Sequence, residues 1–140
     1  MKVKYQIFKT LNLEVLRFVG DWSTSVLKAF VEKLITEQDY NFVERILIDF
    51  REVNLKPAVI DVKDLIDFRK TIAPEKHKIV HLVNTPRSTA ISHLYQDGLN
   101  QAGFDCCYCS TIEHALTFLE LDMETIEMED ILKSLTHQFE

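Results

Sequence analysis

The chain is poor in chain breakers and thiols: 140 residues hold three glycines, three prolines, three cysteines and a single tryptophan. With so few breakers there is no linker rich in Gly, Pro or Ser to separate one domain from another, and no low-complexity segment. The cysteines are odd in number and crowded into positions 106 to 109. They form no disulfide framework and fit a reducing compartment. No stretch approaches the roughly 18 consecutive apolar residues of a spanning helix. Positive charge is not in excess either: the net charge of -6 excludes the basic footprint that nucleic acid or an anionic membrane selects. The opening "MKVKYQIFKTLNLEV" mixes charges with apolar residues, unlike a secretory signal, which predicts a cytoplasmic protein.

What remains is a globular composition, 46% hydrophobic and 27% charged, which argues against a disordered or fibrous chain. A chain of this length sustains one core without staples. Charge is uneven: from Leu121 onward Asp122, Glu124, Glu127, Glu129, Asp130 and Glu140 face only Lys133. The reading is a nearly neutral body over residues 1–121 and an acidic addition over 122–140.

Hydrophobic periodicity orders the elements. Val3, Tyr5 and Ile7 alternate with Lys2, Lys4 and Gln6, the pattern of a half-buried strand, and "LEVLRFV" (13–19) follows a turn at Asn12, so the two predict a hairpin. Leu27, Phe30, Val31, Leu34 and Ile35 make one helical stripe, capped by Ser23 or Thr24. "RILIDF" (45–50) reads as a buried strand. The next helix starts at "KPAVID", where Pro57 suits the first position, and stops at Pro74. "HKIVHLV" (77–83) is a further strand, followed by a helix with Thr85 as cap, Pro86 first and Gly103 past its end. "FDCCYC" is the fifth strand, and Ser110 with Glu113 has the capping-box spacing for a fourth helix. Met128, Ile131, Leu132, Leu135 and Phe139 fit a fifth, acidic helix. It docks on its own domain or, as the alternative, pairs two copies into a homodimer. The order β-β-α-β-α-β-α-β-α implies an α/β fold with a mixed five-stranded sheet and an extra C-terminal helix.

That order resembles the STAS-type domains (sulfate transporter and anti-sigma factor antagonist), in particular the SpoIIAA-like family. "FVGDW" (18–22) looks like that family's turn into the first helix, "ILIDFREVNL" (46–55) like its third strand, and "STIEHALTFLEL" like its last helix. The matches cover about residues 3 to 121. The resemblance implies a bacterial-type regulatory protein that acts through a protein partner, without catalysis or a cofactor. It places the partner surface at Asn54, Leu55, Lys56, Pro57, Ala58 and Asp61. Anti-sigma antagonists carry a phosphorylated serine at the start of the second helix. Here Ala58 falls at that position, so a switch of that kind has no hydroxyl to use.

Individual sites are weighed against plainer roles. Zinc needs four convergent ligands, whereas on a strand Cys107 and Cys109 share a face and Cys106 looks the other way. No metal site is expected. Cys106 and Cys109 have thioredoxin spacing but lie within the strand, ahead of any helix dipole. The thiol redox protein is therefore a third reading, behind strand-filling cysteines. His77 and His81 share a strand face and read as ordinary hydrogen-bonded residues. Asp49 resembles a phosphorylated response-regulator aspartate, but the lysine expected after the fifth strand is missing. "NTPRS" offers an anion-binding candidate in Thr85, Arg87 and Ser88 at a helix N-terminus, against simple capping. A second function class is a carrier of a small apolar ligand or lipid, since related sheets are compared with SEC14-type domains. Its signature is a closed apolar pocket beside the sheet.

Overall fold

The computed structural model describes residues 1–140. Six strands form one mixed sheet: β1 (Lys2–Phe8), β2 (Leu13–Asp21), β3 (Arg45–Asn54), β4 (Lys78–Leu82), β5 (Asp105–Cys109) and β6 (His137–Phe139). Their order is β5-β4-β3-β2-β1-β6. β1 and β2 are the expected antiparallel hairpin, turned at Asn12, whose positive φ of 51° suits Asn in a tight turn. β2 to β5 run parallel.

The helices are α1 (Thr24–Leu34), α2 (Val62–Ile72), α3 (Pro86–Gln101), α4 (Ile112–Phe118) and α5 (Thr125–Lys133). The crossovers through α1, α2 and α3 each step one strand in the same direction. Right-handedness therefore puts all three helices on one face of the sheet. Inward side chains alternate accordingly: Leu16, Phe18, Ile46, Phe50 and Ile79 join the upper core, under α1 to α3, while Leu13, Val15, Leu47, Val80 and Leu82 join the lower core, under α4 and α5. Because helices cover both faces, "RILIDF" reads as a near-continuous apolar run. No helix is long and apolar enough to cross a membrane.

Helix ends follow the sequence signals with two shifts. Ser23 caps α1, accepting from the Val26 amide at 3.3 Å, and Thr85 caps α3 reciprocally with Ser88. Pro57 opens a 3-10 turn over Lys56–Asp61, so α2 itself begins only at Val62. Thr111 rather than Ser110 caps α4, accepting from the His114 amide.

The larger corrections concern the strand count and the C-terminal segment. The sheet has six strands, not five, because α5 stops at Lys133 and residues His137–Phe139 pair antiparallel with β1, Tyr5 opposite His137 and Val3 opposite Phe139. Leu135 and Phe139 are four apart, a spacing that satisfies a helix and a strand alike, so periodicity could not separate them. The exposed edge of β1 decides the matter, since its free backbone groups gain partners. Within α5, Met128 and Leu132 are fully buried in the lower core. The helix docks on its own domain.

Candidate functional site

Between the sheet and the α1 to α3 layer lies a cavity of about 120 Å³. Nineteen of its 23 lining residues are hydrophobic, so its surface is mostly apolar. Phe18 and Phe50 stack at 5.4 Å between ring centroids, and Trp22 stands edge-on to both. Ile48, paired on both sides in the middle of β3, is still partly exposed because it faces this space. Outside, two polar bridges span from α1 to the start of α2, Thr24 to Asp61 and Lys28 to Asp64, each 2.7 Å.

Four polar groups interrupt the apolar wall. Glu14 is 1% exposed, His81 2% and Ser92 1%. Neither carboxyl oxygen of Glu14, neither ring nitrogen of His81, nor the Ser92 hydroxyl has a hydrogen-bond partner, and the Nε of Arg69 is likewise unpaired. Buried polar groups are normally bonded, and each one left unmet costs about 1–3 kcal/mol. Apart from the Nε of Arg17, every unbonded buried side-chain nitrogen or oxygen borders this one cavity.

Strand register locates them. Glu14 lies beside Ile46 and, one strand further, Ile79, whereas His81 lies beside Ile48 and then Leu16. The two residues are thus two strands and two positions apart, about 12 Å from Cα to Cα by standard sheet spacing. The His81 ring stacks 5.6 Å from that of Tyr95 and lies 5.0 Å, edge-on, from that of Phe50. Ser92 sits one turn before Tyr95 on α3, which puts its hydroxyl toward the His81 end. Arg69 belongs to the Glu14 end. Its Nη2 lies 2.6 Å from His77 Nδ1 and donates to the Glu75 carbonyl at 3.3 Å.

Burial sets the charge states. It pushes the Glu14 carboxyl up to about 8, with the Arg69 guanidinium pulling the other way. It pushes His81 down to about 4, and the Tyr40 hydroxyl up to about 12. At neutral pH Glu14 is mostly protonated and His81 is neutral, so each offers both a donor and an acceptor.

The residues nominated from the sequence separate into two groups. Leu55 and Ala58 turn inward and line the cavity. Asn54 donates to Asp21 and accepts from the Lys56 amide, Asp61 accepts from Thr24, and Lys56 and Pro57 are exposed. Beside them Val59 and Ile60 are 52% and 89% exposed. Thr85 and Ser88 use their hydroxyls on one another and on the first turn of α3, while Arg87 is exposed. Asp49 is buried and held by Arg51 through the amide and two side-chain nitrogens, and Arg51 reaches on to Glu129. Cys106 packs in the upper core and Cys109 in the lower, on opposite faces of β5. No group of three or more His, Cys, Asp or Glu side chains is placed to hold a metal ion.

Sequence reasoning did not single out Glu14, Arg69 or Ser92, and it took His81 for a bonded residue. One signal was present: Glu14 shares the face of Leu16 and Phe18, which sets a carboxyl on an apolar row. No family model matches the chain, and no curated protein matches it significantly.

Proposed function

We propose that this protein binds a small, largely apolar molecule in the cavity beside its sheet, on a SpoIIAA-like (STAS-type) scaffold, and serves as a carrier or sensor rather than an enzyme. The observation that carries the reading is the concentration of unpaired, buried Glu14, His81, Ser92 and Arg69 Nε groups on one otherwise apolar cavity. Left unfilled, a space of 120 Å³ would cost about 3 kcal/mol at roughly 24 cal/mol per Å³, before the polar groups are counted. Natural domains are stable by only about 5–15 kcal/mol, so an occupant that meets these groups and fills the space accounts for their retention.

The scaffold assignment is supported by the element order, the antiparallel first hairpin and the parallel strands that follow. Ala58, at the position of the family's phosphorylated serine, is buried against the cavity and supplies a small wall residue. A cytoplasmic setting agrees with three free thiols. Against a redox role, Cys106 and Cys109 face opposite sides of their strand, and burial raises both thiols, to about 12 and about 11. A protein partner is a second reading, favoured by Val59 and Ile60 exposed beside Lys56 and Pro57. Both readings are compatible if occupancy of the cavity positions the turn that bears Ala58.

The test is native mass spectrometry of the protein released gently from its own cells. A reproducible adduct of small-molecule mass, lost when Ala58→Phe fills the cavity, is the expected result. Bare protein in every preparation counts against it.

A further inference from the structure

We infer that the occupant of this cavity is an uncharged, single-ring molecule bearing at least one hydroxyl, carbonyl or amide group, which it directs to His81 and Ser92. The inference rests on the reading of the cavity as a ligand site and specifies what the site selects.

Size comes first. A cavity of about 150 Å³ lined by Leu, Ile and Phe holds benzene, and this one, at about 120 Å³, takes at most a molecule of one ring. Shape agrees, since the aromatic rings of Phe18, Phe50 and Trp22 border it.

Polarity comes from the unpaired groups. His81 presents two bare ring nitrogens and Ser92 a bare hydroxyl, both on the Tyr95 side. A neutral imidazole has one donor and one acceptor, and the hydroxyl has both. A ring without a polar substituent leaves all of them unmet, whereas a hydroxyl or carbonyl directed to this end meets at least one.

Charge on the ligand is disfavoured because the end that holds its polar group, lined by His81 and Ser92, carries no charged side chain. At the other end Glu14 is protonated, and Arg69, the one charged group on the wall, is already engaged through its Nη2 by the Glu75 carbonyl and His77. A charged ligand would lose its hydration to an apolar space without a free, complementary charge at the His81 end. A neutral ligand avoids that loss.

The experiment follows the indole N–H resonance of Trp22, the only tryptophan, which lines the cavity, in 15N-labelled full-length protein. Phenol, benzene, benzoate and benzylamine are titrated separately. Phenol is expected to shift the resonance saturably and to bind about fivefold tighter than benzene, the yield of one net hydrogen bond of about 1 kcal/mol; benzoate and benzylamine are expected to bind more weakly than phenol. Ser92→Ala and, independently, His81→Phe should bring the phenol-to-benzene ratio toward one while benzene still binds. Benzene binding as tightly as phenol would overturn the polar requirement and leave the cavity a purely apolar site whose polar groups hold water. Tighter binding of benzoate or benzylamine would overturn the neutrality. A Trp22 resonance unmoved by all four would sink the ligand-site reading itself.

Discussion

Glu14→Gln removes a buried acid while keeping its size and shape, and its effect on stability is governed by pH. The folded protein holds the carboxyl proton up to about pH 8, against an ordinary value of 4.5. Between those two values the unfolded chain has released a proton that the folded chain keeps, so wild-type stability falls as pH rises. At 1.36 kcal/mol per pH unit the loss reaches about 3 kcal/mol at pH 7 and about 5 kcal/mol above pH 8. Glutamine does not titrate. The variant should therefore match the wild type to within about 0.5 kcal/mol at pH 4.5 and exceed it by about 3 kcal/mol at pH 7. Urea melts of both proteins at pH 4.5, 6, 7 and 8.5 measure this directly, the difference between the two cancelling every other titrating group. A difference that stays flat across the range, or one that favours the wild type at pH 7, would mean that Glu14 is ionised and paired in the folded protein, and the description of the cavity would be wrong.

His81 acts in the opposite direction. Burial holds it near 4, so the folded state refuses a proton that the unfolded state takes below about 6.5, and the advantage of His81→Phe over the wild type should grow by about 2 kcal/mol between pH 8 and pH 5 in the same melts. Asn100 bonds both the amide and the carbonyl of Cys106, at 2.8 and 3.0 Å, and so covers the outer edge of β5; Asn100→Ala should cost about 1–3 kcal/mol and speed hydrogen exchange at the Cys106 amide, and unchanged exchange would refute that role. With all three thiols raised by burial, a thiol reagent at pH 8 should find Cys107 first, as the one not buried, and should label Cys106 and Cys109 only after denaturant is added; rapid labelling of Cys106 in the native protein would reopen the redox reading.

How far the sequence reached depends on what each feature requires. The change from alternation at Val3, Tyr5 and Ile7 to helical spacing at Leu27, Phe30 and Val31 is local, and local periods gave the α/β order and the hairpin. The opposed faces of Cys106 and Cys109 follow from the same period of two. The C-terminal strand did not follow, because Leu135 and Phe139 fit either period and only the free edge of β1 chooses between them. The cavity is harder still. It arises where side chains from β2, β3, β4, α1, α2 and α3 fail to fill the space between layers, and no single element encodes that shortfall. Ala58 shows the difference in kind: in sequence it marks a missing hydroxyl, and in the structure it is a small side chain that leaves room. Glu14 was the one legible trace, an acid on the apolar face of a strand.

The central claim is that the cavity is a binding site rather than a packing defect, and a high-resolution electron-density map of the protein purified from its own cells without added organic solutes tests it most directly. The account predicts density too large for water in the cavity, in contact with Phe18 or Phe50 and within hydrogen-bond distance of His81 or Ser92. A dry cavity, or one holding only waters bonded to Glu14, His81 and Ser92, would contradict it.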